Sequence, residues 1–485
     1  MDEDMDFDTG SASQPNAFQQ SNTYHSNGQD PDRKMLDLVF VQDCTGSQGS
    51  YISSATKNIE NICGHIFESG KLQAVEDLRI GLVAFRDHPP QDHTYIVKNF
   101  GFSSDISKVQ KDLSTLYASG GGDGPEAVTA ALVEALNMDW REHASRMVVL
   151  IADAPPHGIG EYGDGTLSDF VLNVRSSLIL QASGFDDGSP DGYDPLQIAR
   201  QMASRGITLF FVACEPALSG YQYATDFYKA ITSITSGLML PLTTADLLTH
   251  AIVGSVLENL DMERLVREVG AAVAQRILGN NESVDDVARE LHERLLLRNE
   301  STKKVVIESI YKDSEESRHN VAVFTEAPSL TDARPLLKRV QGTRFTDKYL
   351  AARAGLTRSS YTYTSHYAPA TPPRSPPTKA ASSPTGSSFS STGSPPRKVV
   401  TDFAAFGAPK NASVFGTAVA SSPFSLAGGQ AAFGGMRAGA GRTAFDDDDD
   451  DDDDGRQRVE LREDSISLDQ AKRIAMQSAW RSARA

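Results

Sequence analysis

Leu36-Asp37-Leu38-Val39-Phe40-Val41-Gln42-Asp43-Cys44-Thr45-Gly46-Ser47 is the stretch on which the reading of this chain turns. A short apolar run ends at a carboxylate, and two hydroxyl residues follow at alternate positions. Apolar runs of this length, bounded by polar loops, are buried strands of the kind found in parallel sheets covered on both faces. Similar runs recur at 79–85, 147–152 and 207–213, with an alternating segment at 95–100 and a short one at 238–241. Helical spacing fills the intervals, at 50–68, 105–116, 125–136, 194–204, 222–235 and 244–257. Strand-helix alternation over 34–257 predicts an α/β, doubly wound, mostly parallel sheet. In such sheets ligands gather in the loops beyond the carboxyl ends of the strands.

Three of those loops carry carboxylates. The first is Asp43-Cys44-Thr45-Gly46-Ser47, where alternate residues put a carboxylate and two hydroxyls on one side of a tight loop. The second is Gly120-Gly121-Gly122-Asp123-Gly124-Pro125-Glu126, whose glycines allow a sharp turn toward a helix start. The third places Asp153 just past a buried strand, ahead of Ala154-Pro155-Pro156-His157. Hard oxygen donors of this kind suit magnesium or manganese. Each loop alone is weak, since an Asp after a strand is most often a helix cap or turn residue. Three at one end of one sheet are hard to explain as separate caps.

Asp43-x-Thr45-x-Ser47 resembles the D-x-S/T-x-S motif of the metal-ion-dependent adhesion site in von Willebrand factor A-type (VWA) domains. Gly122-Asp123-Gly124-Pro125-Glu126 resembles the Asp-x-Pro-Glu loop of integrin β-subunit I-like domains, and Asp153 matches the third-loop Asp. The segment 153–157, with the insertion after it and Asp194-Pro195-Leu196, looks closest to the alpha-kinase-associated VWA group. The resemblance implies that Thr45, Ser47 and Glu126 touch a metal directly, while Asp43 and Asp153 hold its waters. Asp123 stays open between ligand, helix cap and neighbouring-site residue. The implied function is an intracellular adaptor in which a partner protein's Asp or Glu completes the coordination of Mg2+ or Mn2+. The stretch 184–194, rich in Asp and Gly, reads as a surface insertion or as a Ca2+ site. No kinase signature follows residue 257, and the expectation is a binding protein, not an enzyme.

Two other classes stand beside it. A strand ending in Asp-x-Thr also opens Mg2+-dependent phosphohydrolases with the Asp as nucleophile. There, position 43 would act, but Thr45 stands where a second Asp serves as general acid. A structural or nuclear-transport protein is the third class, carried by Phe406, Phe415, Phe424 and Phe433, which recur every nine residues among Gly, Ala and Ser.

The chain of 485 residues has a formal net charge of −18, and the nine consecutive aspartates of 446–454 supply half of it. The remainder gives no electrostatic case for nucleic acid. Cys44, Cys63 and Cys214 are too sparse for a disulfide framework or a zinc cluster. No basic, apolar leader and no membrane-length apolar window is visible, so the expected location is the cytoplasm, the nucleus remaining open. Expected organisation is a disordered tail at 1–33, the VWA-like domain at 34–257, a helical extension at 258–350, a disordered Ser/Pro/Gly/Phe linker at 351–455 with Ser-Pro phosphorylation candidates, and a helix within 456–485. That last helix starts from the capping-box pattern Ser467-x-x-Gln470 and is expected to order only on contact. Strands are expected at 303–307 and 321–325.

Overall fold

The computed structural model describes residues 33–89, 91–122, 124–161, 192–359 and 457–483. The chain divides into one unit of residues 1–361 with 441–485 and another of 362–440; the latter lies outside the described residues.

Strands β1 (Leu36–Asp43), β2 (Leu78–Phe85), β3 (Val97–Ser103), β4 (Ser145–Ala152), β5 (Ile207–Cys214) and β6 (Met239–Leu242) form one sheet in the order β3-β2-β1-β4-β5-β6. All neighbours are parallel except β3, which closes one edge antiparallel to β2. The chain starts in the middle, winds outward through β2 and β3, then returns to the other side of β1 for β4. The crevice between β1 and β4, where the winding direction changes, is the point at which such sheets leave room for a ligand.

Both faces are covered. Leu36, Leu38 and Phe40 of β1 face α1 (Gly49–Glu68) and α2 (Ile106–Ser114), while Val39 and Val41 face α3 (Val128–Leu136), α4 (Pro195–Ser204) and α5 (Ala224–Ile234). This period-2 division of a continuous apolar run makes β1 a central strand. Caps fix the helix starts: Asp105 accepts the Ser107 and Lys108 amides, and Asp194 accepts those of Leu196 and Gln197.

Beyond the sheet the chain departs from expectation. Helix α6 (Leu248–Ala274) runs without a break through the expected domain boundary at 257. Its first half packs on the β1 face through Ile252 and Val256. Its second half builds another core from Val266, Val269 and Val273 with Leu291 and Leu295 of α7 (Val284–Leu297). Strand β7 (Ser301–Ile307) follows. Residues 321–325, expected as a strand, lie inside α8 (Glu315–Glu326). The buried positions there are Ser317, Asn320 and Phe324, a helical spacing, and Asp226 accepts from both Ser317 Oγ and Asn320 Nδ2. Helices α9 (Leu330–Ala333) and α10 (Asp347–Ser359) complete this part.

The chain returns at Gln457. Strand β8 (Val459–Ser465) pairs antiparallel with β7 along its whole length. Helix α11 (Leu468–Ser482) then inserts Ala471, Ile474 and Ala475 into the core shared with α6 and α7. The capping box forms as read from sequence, with Gln470 and Ser467 bonded reciprocally. The contact that orders this helix comes from the chain itself. Arg473, almost fully buried, bonds Glu258 and the Ser236 carbonyl. The Phe repeat, the Ser-Pro sites and the aspartate run lie outside the described residues.

Candidate metal site

The loops after β1, before α3 and after β4 meet at the carboxyl edge of the sheet, tied together by main-chain hydrogen bonds. Gly46 N–H donates to the Gly120 carbonyl at 3.2 Å and Ser119 N–H to that of Cys44 at 3.0 Å. Glu126 N–H donates to the Pro155 carbonyl at 2.9 Å, and Glu126 and Pro156 form an isolated parallel bridge. Glu126 therefore sits in an extended segment, not in the helix expected from Pro125; α3 begins at Val128.

Asp43 is the last residue of β1 and is fully buried. Its Oδ1 accepts the Thr45 amide at 2.8 Å and the Thr45 hydroxyl at 2.7 Å. Its Oδ2 is buried with no partner in hydrogen-bonding geometry. Register pairs Gln42 with Ile151, so Asp153 lies just beyond the end of the ladder, across one strand spacing from Asp43. Burial, and then the charge of Asp153, push the Asp43 carboxyl up to about 7, against the opposing bonds from Thr45 and from the Asp153 backbone amide.

Glu126 and Thr45 converge on Gly121. A Cβ there would lie 2.6 Å from Glu126 Oε1 and 3.4 Å from Thr45 Cβ, and the backbone φ is +77°. Only glycine permits both the conformation and the approach. Asp43, Thr45, Glu126 and Asp153 are buried, at 0, 3, 5 and 8% exposure. Ser47, in the turn Gly46–Gln48, is exposed. Asp123 lies outside the described residues, as does most of 184–194. Of that stretch Asp194 is described, and its carboxylate is engaged by three amides, those of Leu196, Gln197 and Leu330.

This donor set tests well against a hard divalent cation. It is made of carboxylate and hydroxyl oxygens, and it contains one buried carboxylate oxygen that protein donors leave unmet. Among the described residues no group of three or more His, Cys, Asp or Glu side chains is drawn together as a metal cluster.

The loop after β2 belongs to the same edge and was not singled out by sequence. There Arg86, Asp87 and His88 are buried, and His157 Nε2 lies 2.9 Å from Asp87 Oδ1. Arg86 donates to Thr94 Oγ1 and the Tyr117 carbonyl and lies 3.8 Å from Asp92 Oδ2. A Cβ at Gly120 would collide with Asp92 Oδ2 at 1.9 Å. The signal was present, because the test for charge after a buried strand, applied to β1 and β4, also picks out Arg86-Asp87-His88.

No family model matches the chain. It is similar to the alpha-protein kinase vwkA of Dictyostelium discoideum, 33% identical over 124 residues, which are 25% of this chain and 19% of that protein. It is also similar to an ariadne-like RING finger protein of Acanthamoeba polyphaga mimivirus, 27% identical over 207 residues, 42% of this chain and 18% of that protein. The chain thus covers less than a fifth of either relative. Among solved structures, the pilus adhesin SpaC from Lactobacillus rhamnosus GG is similar at a TM-score of 0.32 and 13% identity, over 47% of this chain and 31% of that one.

Proposed function

We propose that the chain is a binding module of the VWA type, whose carboxyl-edge loops hold one divalent cation, Mg2+ or Mn2+, and whose partner is a protein presenting an Asp or Glu. In this reading Thr45, Ser47 and Glu126 are direct ligands, and Asp43 and Asp153 hold water ligands and orient the hydroxyls. A cation there supplies positive charge and an open coordination position for the incoming carboxylate. The loops supply a partly dehydrated setting in which that attraction exceeds its strength in bulk water.

The observation that carries this reading is Asp43 Oδ2. A carboxylate oxygen buried without a donor, one strand from a second buried carboxylate, is costly unless something positive meets it. The same observation weighs against a phosphohydrolase. A nucleophilic carboxylate has to be reachable, whereas Asp43 is fully buried. A cytoplasmic location is part of the proposal, supported by three buried, unbridged cysteines and by the lack of any described helix long and apolar enough to cross a membrane.

The test is Mn2+ binding by the full chain, followed through water-proton relaxation, because α6 and α11 rule out cutting near residue 260. A bound, water-bearing Mn2+ raises relaxivity, and a short Asp-bearing peptide lowers it by displacing water. Glu126→Gln removes the enhancement. Unchanged relaxivity in the wild-type chain, or enhancement that survives Glu126→Gln, sinks the metal-bridge reading.

A further inference from the structure

Beside the proposed metal site stands a fixed, open aromatic side chain, Tyr117, which is 57% exposed. It lies between the end of α2 and the glycine turn that follows. Its chain neighbours are tied to the loop after β1: Ser119 N–H donates to the Cys44 carbonyl, and the Gly120 carbonyl accepts from Gly46 N–H. Tyr117 stands four positions before Gly121, the residue on which Thr45 and Glu126 converge. Even a fully extended chain of that length reaches only about 14 Å, so the tyrosine belongs to the rim of the same site.

A single exposed tyrosine is ordinary; this one is set apart by how it is held. Arg86 is fully buried, donates from Nη2 to the Tyr117 carbonyl at 2.9 Å, and places its guanidinium carbon 4.5 Å from the centre of the Tyr117 ring. The same guanidinium lies 4.7 Å from the Tyr95 ring centre and donates to Thr94 Oγ1 at 2.7 Å. Asp92 Oδ2, 3.8 Å from Arg86 Nη1, balances the buried charge. Tyr117 therefore has its main chain pinned and one ring face seated on a group that is itself locked, while more than half of the residue is open. An aromatic side chain ordered in advance loses little entropy when a partner covers it, which is what makes such residues effective anchors at interfaces.

The seated guanidinium also decides what the open part of the ring accepts. Arg86 occupies one face and draws π density toward itself, so the ring is a poorer seat for a second cation than for the face or edge of another aromatic ring. We propose that Tyr117 is a specificity-determining residue of the metal site, which reads an aromatic side chain of the partner placed within about four residues of the Asp or Glu that completes the coordination. The spacing follows from the reach, since about 14 Å is spanned by about four residues of an extended peptide. The inference rests on the metal-bridge reading and narrows its partner to an acidic segment with an aromatic residue close by.

The experiment titrates the full, Mn2+-loaded chain with end-blocked peptides, Asp-Gly-Gly-Trp, Trp-Gly-Gly-Asp and Asp-Gly-Gly-Ala, while water-proton relaxation is followed. At least one of the Trp peptides should displace metal-bound water at about fivefold lower concentration than the Ala peptide, the size of one aromatic pair. Tyr117→Ala should abolish that preference and Tyr117→Phe should keep it, with the Mn2+ affinity of both variants equal to that of the wild type. Equal potency of all the peptides on the wild type, or a preference that survives Tyr117→Ala, overturns the inference while the Mn2+ enhancement stands. Loss of Mn2+ affinity in Tyr117→Ala also overturns it, because Tyr117 would then support the loop instead of meeting the partner. No Mn2+ enhancement in the wild type, a separate result, sinks the metal-bridge reading and this inference with it.

Discussion

Two aspartates on β1, six residues apart, are both fully buried and have opposite surroundings. Asp37, at the amino end, accepts from Arg79 Nε and Nη2 and from the Arg141 amide and Nε, at 2.7 to 3.0 Å. Both of its oxygens are met. Asp43, at the carboxyl end, has one oxygen held by Thr45 and the other unmet, with Asp153 rather than an arginine as its charged neighbour. At the carboxyl edge Asp43 and Asp153 are two buried carboxylates at the ends of neighbouring strands. Asp37 is electrostatically satisfied by protein groups. The carboxyl edge carries a standing cost, and that cost is what a cation would relieve. A buried charge with partners stabilises only through those partners, so the two aspartates should answer mutation in opposite directions.

The largest effect is expected at the satisfied end. Asp37→Ala leaves the half-buried guanidiniums of Arg79 and Arg141 without their shared carboxylate and should destabilise the fold by about 3 kcal/mol in urea unfolding. A loss under 1 kcal/mol would remove the contrast. Next comes the cation itself. Mg2+ at a hundred times its dissociation constant should stabilise the wild-type chain by about 2.7 kcal/mol, and by nothing in Glu126→Gln. Equal gains in both would place the bound ion elsewhere.

How much of this was legible in sequence follows from where the information lies. β1, β4 and β5 are continuous apolar runs, and a strand buried on both faces has no other way to read. The three carboxylate loops follow from the strand ends, and so does their meeting place at the β1–β4 switch. Residues 321–325 mislead because Val321, Val323 and Thr325 favour strands locally, whereas Asp226, about a hundred positions away, selects the helix by bonding Ser317 and Asn320. β8 is invisible for a related reason. Val459-Glu460-Leu461-Arg462-Glu463 alternates, but its partner β7 lies more than 150 residues earlier, and pairing over that separation leaves no local trace. Asp37 was passed over inside its apolar run, although a lone carboxylate in a buried strand is itself a signal that arginines will be found beside it.

A smaller effect isolates Glu126. Gly121→Ala would push a methyl against Glu126 Oε1 and strain a φ of +77°. It should cost roughly 1 kcal/mol of stability and weaken Mn2+ binding about 10–100-fold, the loss typical of misplacing a metal ligand's support. A fall in stability with unchanged Mn2+ affinity would separate Glu126 from the site.

Asp43→Asn, measured in EDTA, has the smallest effect and the most informative sign. The folded-state pKa of Asp43 is raised to about 7 from an ordinary carboxylate value. Between roughly pH 4 and pH 7 the folded chain therefore binds more protons at this group than the unfolded chain, and stability falls as pH rises through that window. Above it the wild type carries the full cost of a buried, half-met carboxylate. An amide carries no charge to bury, so at pH 8 the Asn variant should be more stable than wild type by roughly 1 kcal/mol, after losses from imperfect amide hydrogen bonds. The advantage should shrink toward nothing below about pH 3, where Asp43 is protonated in both states. Adding Mg2+ should reverse the order at pH 8, because only the wild type then gains. A variant less stable than wild type at every pH in EDTA would mean that Asp43 is satisfied by protein groups alone, as Asp37 is, and the difference between the two ends of β1 would vanish.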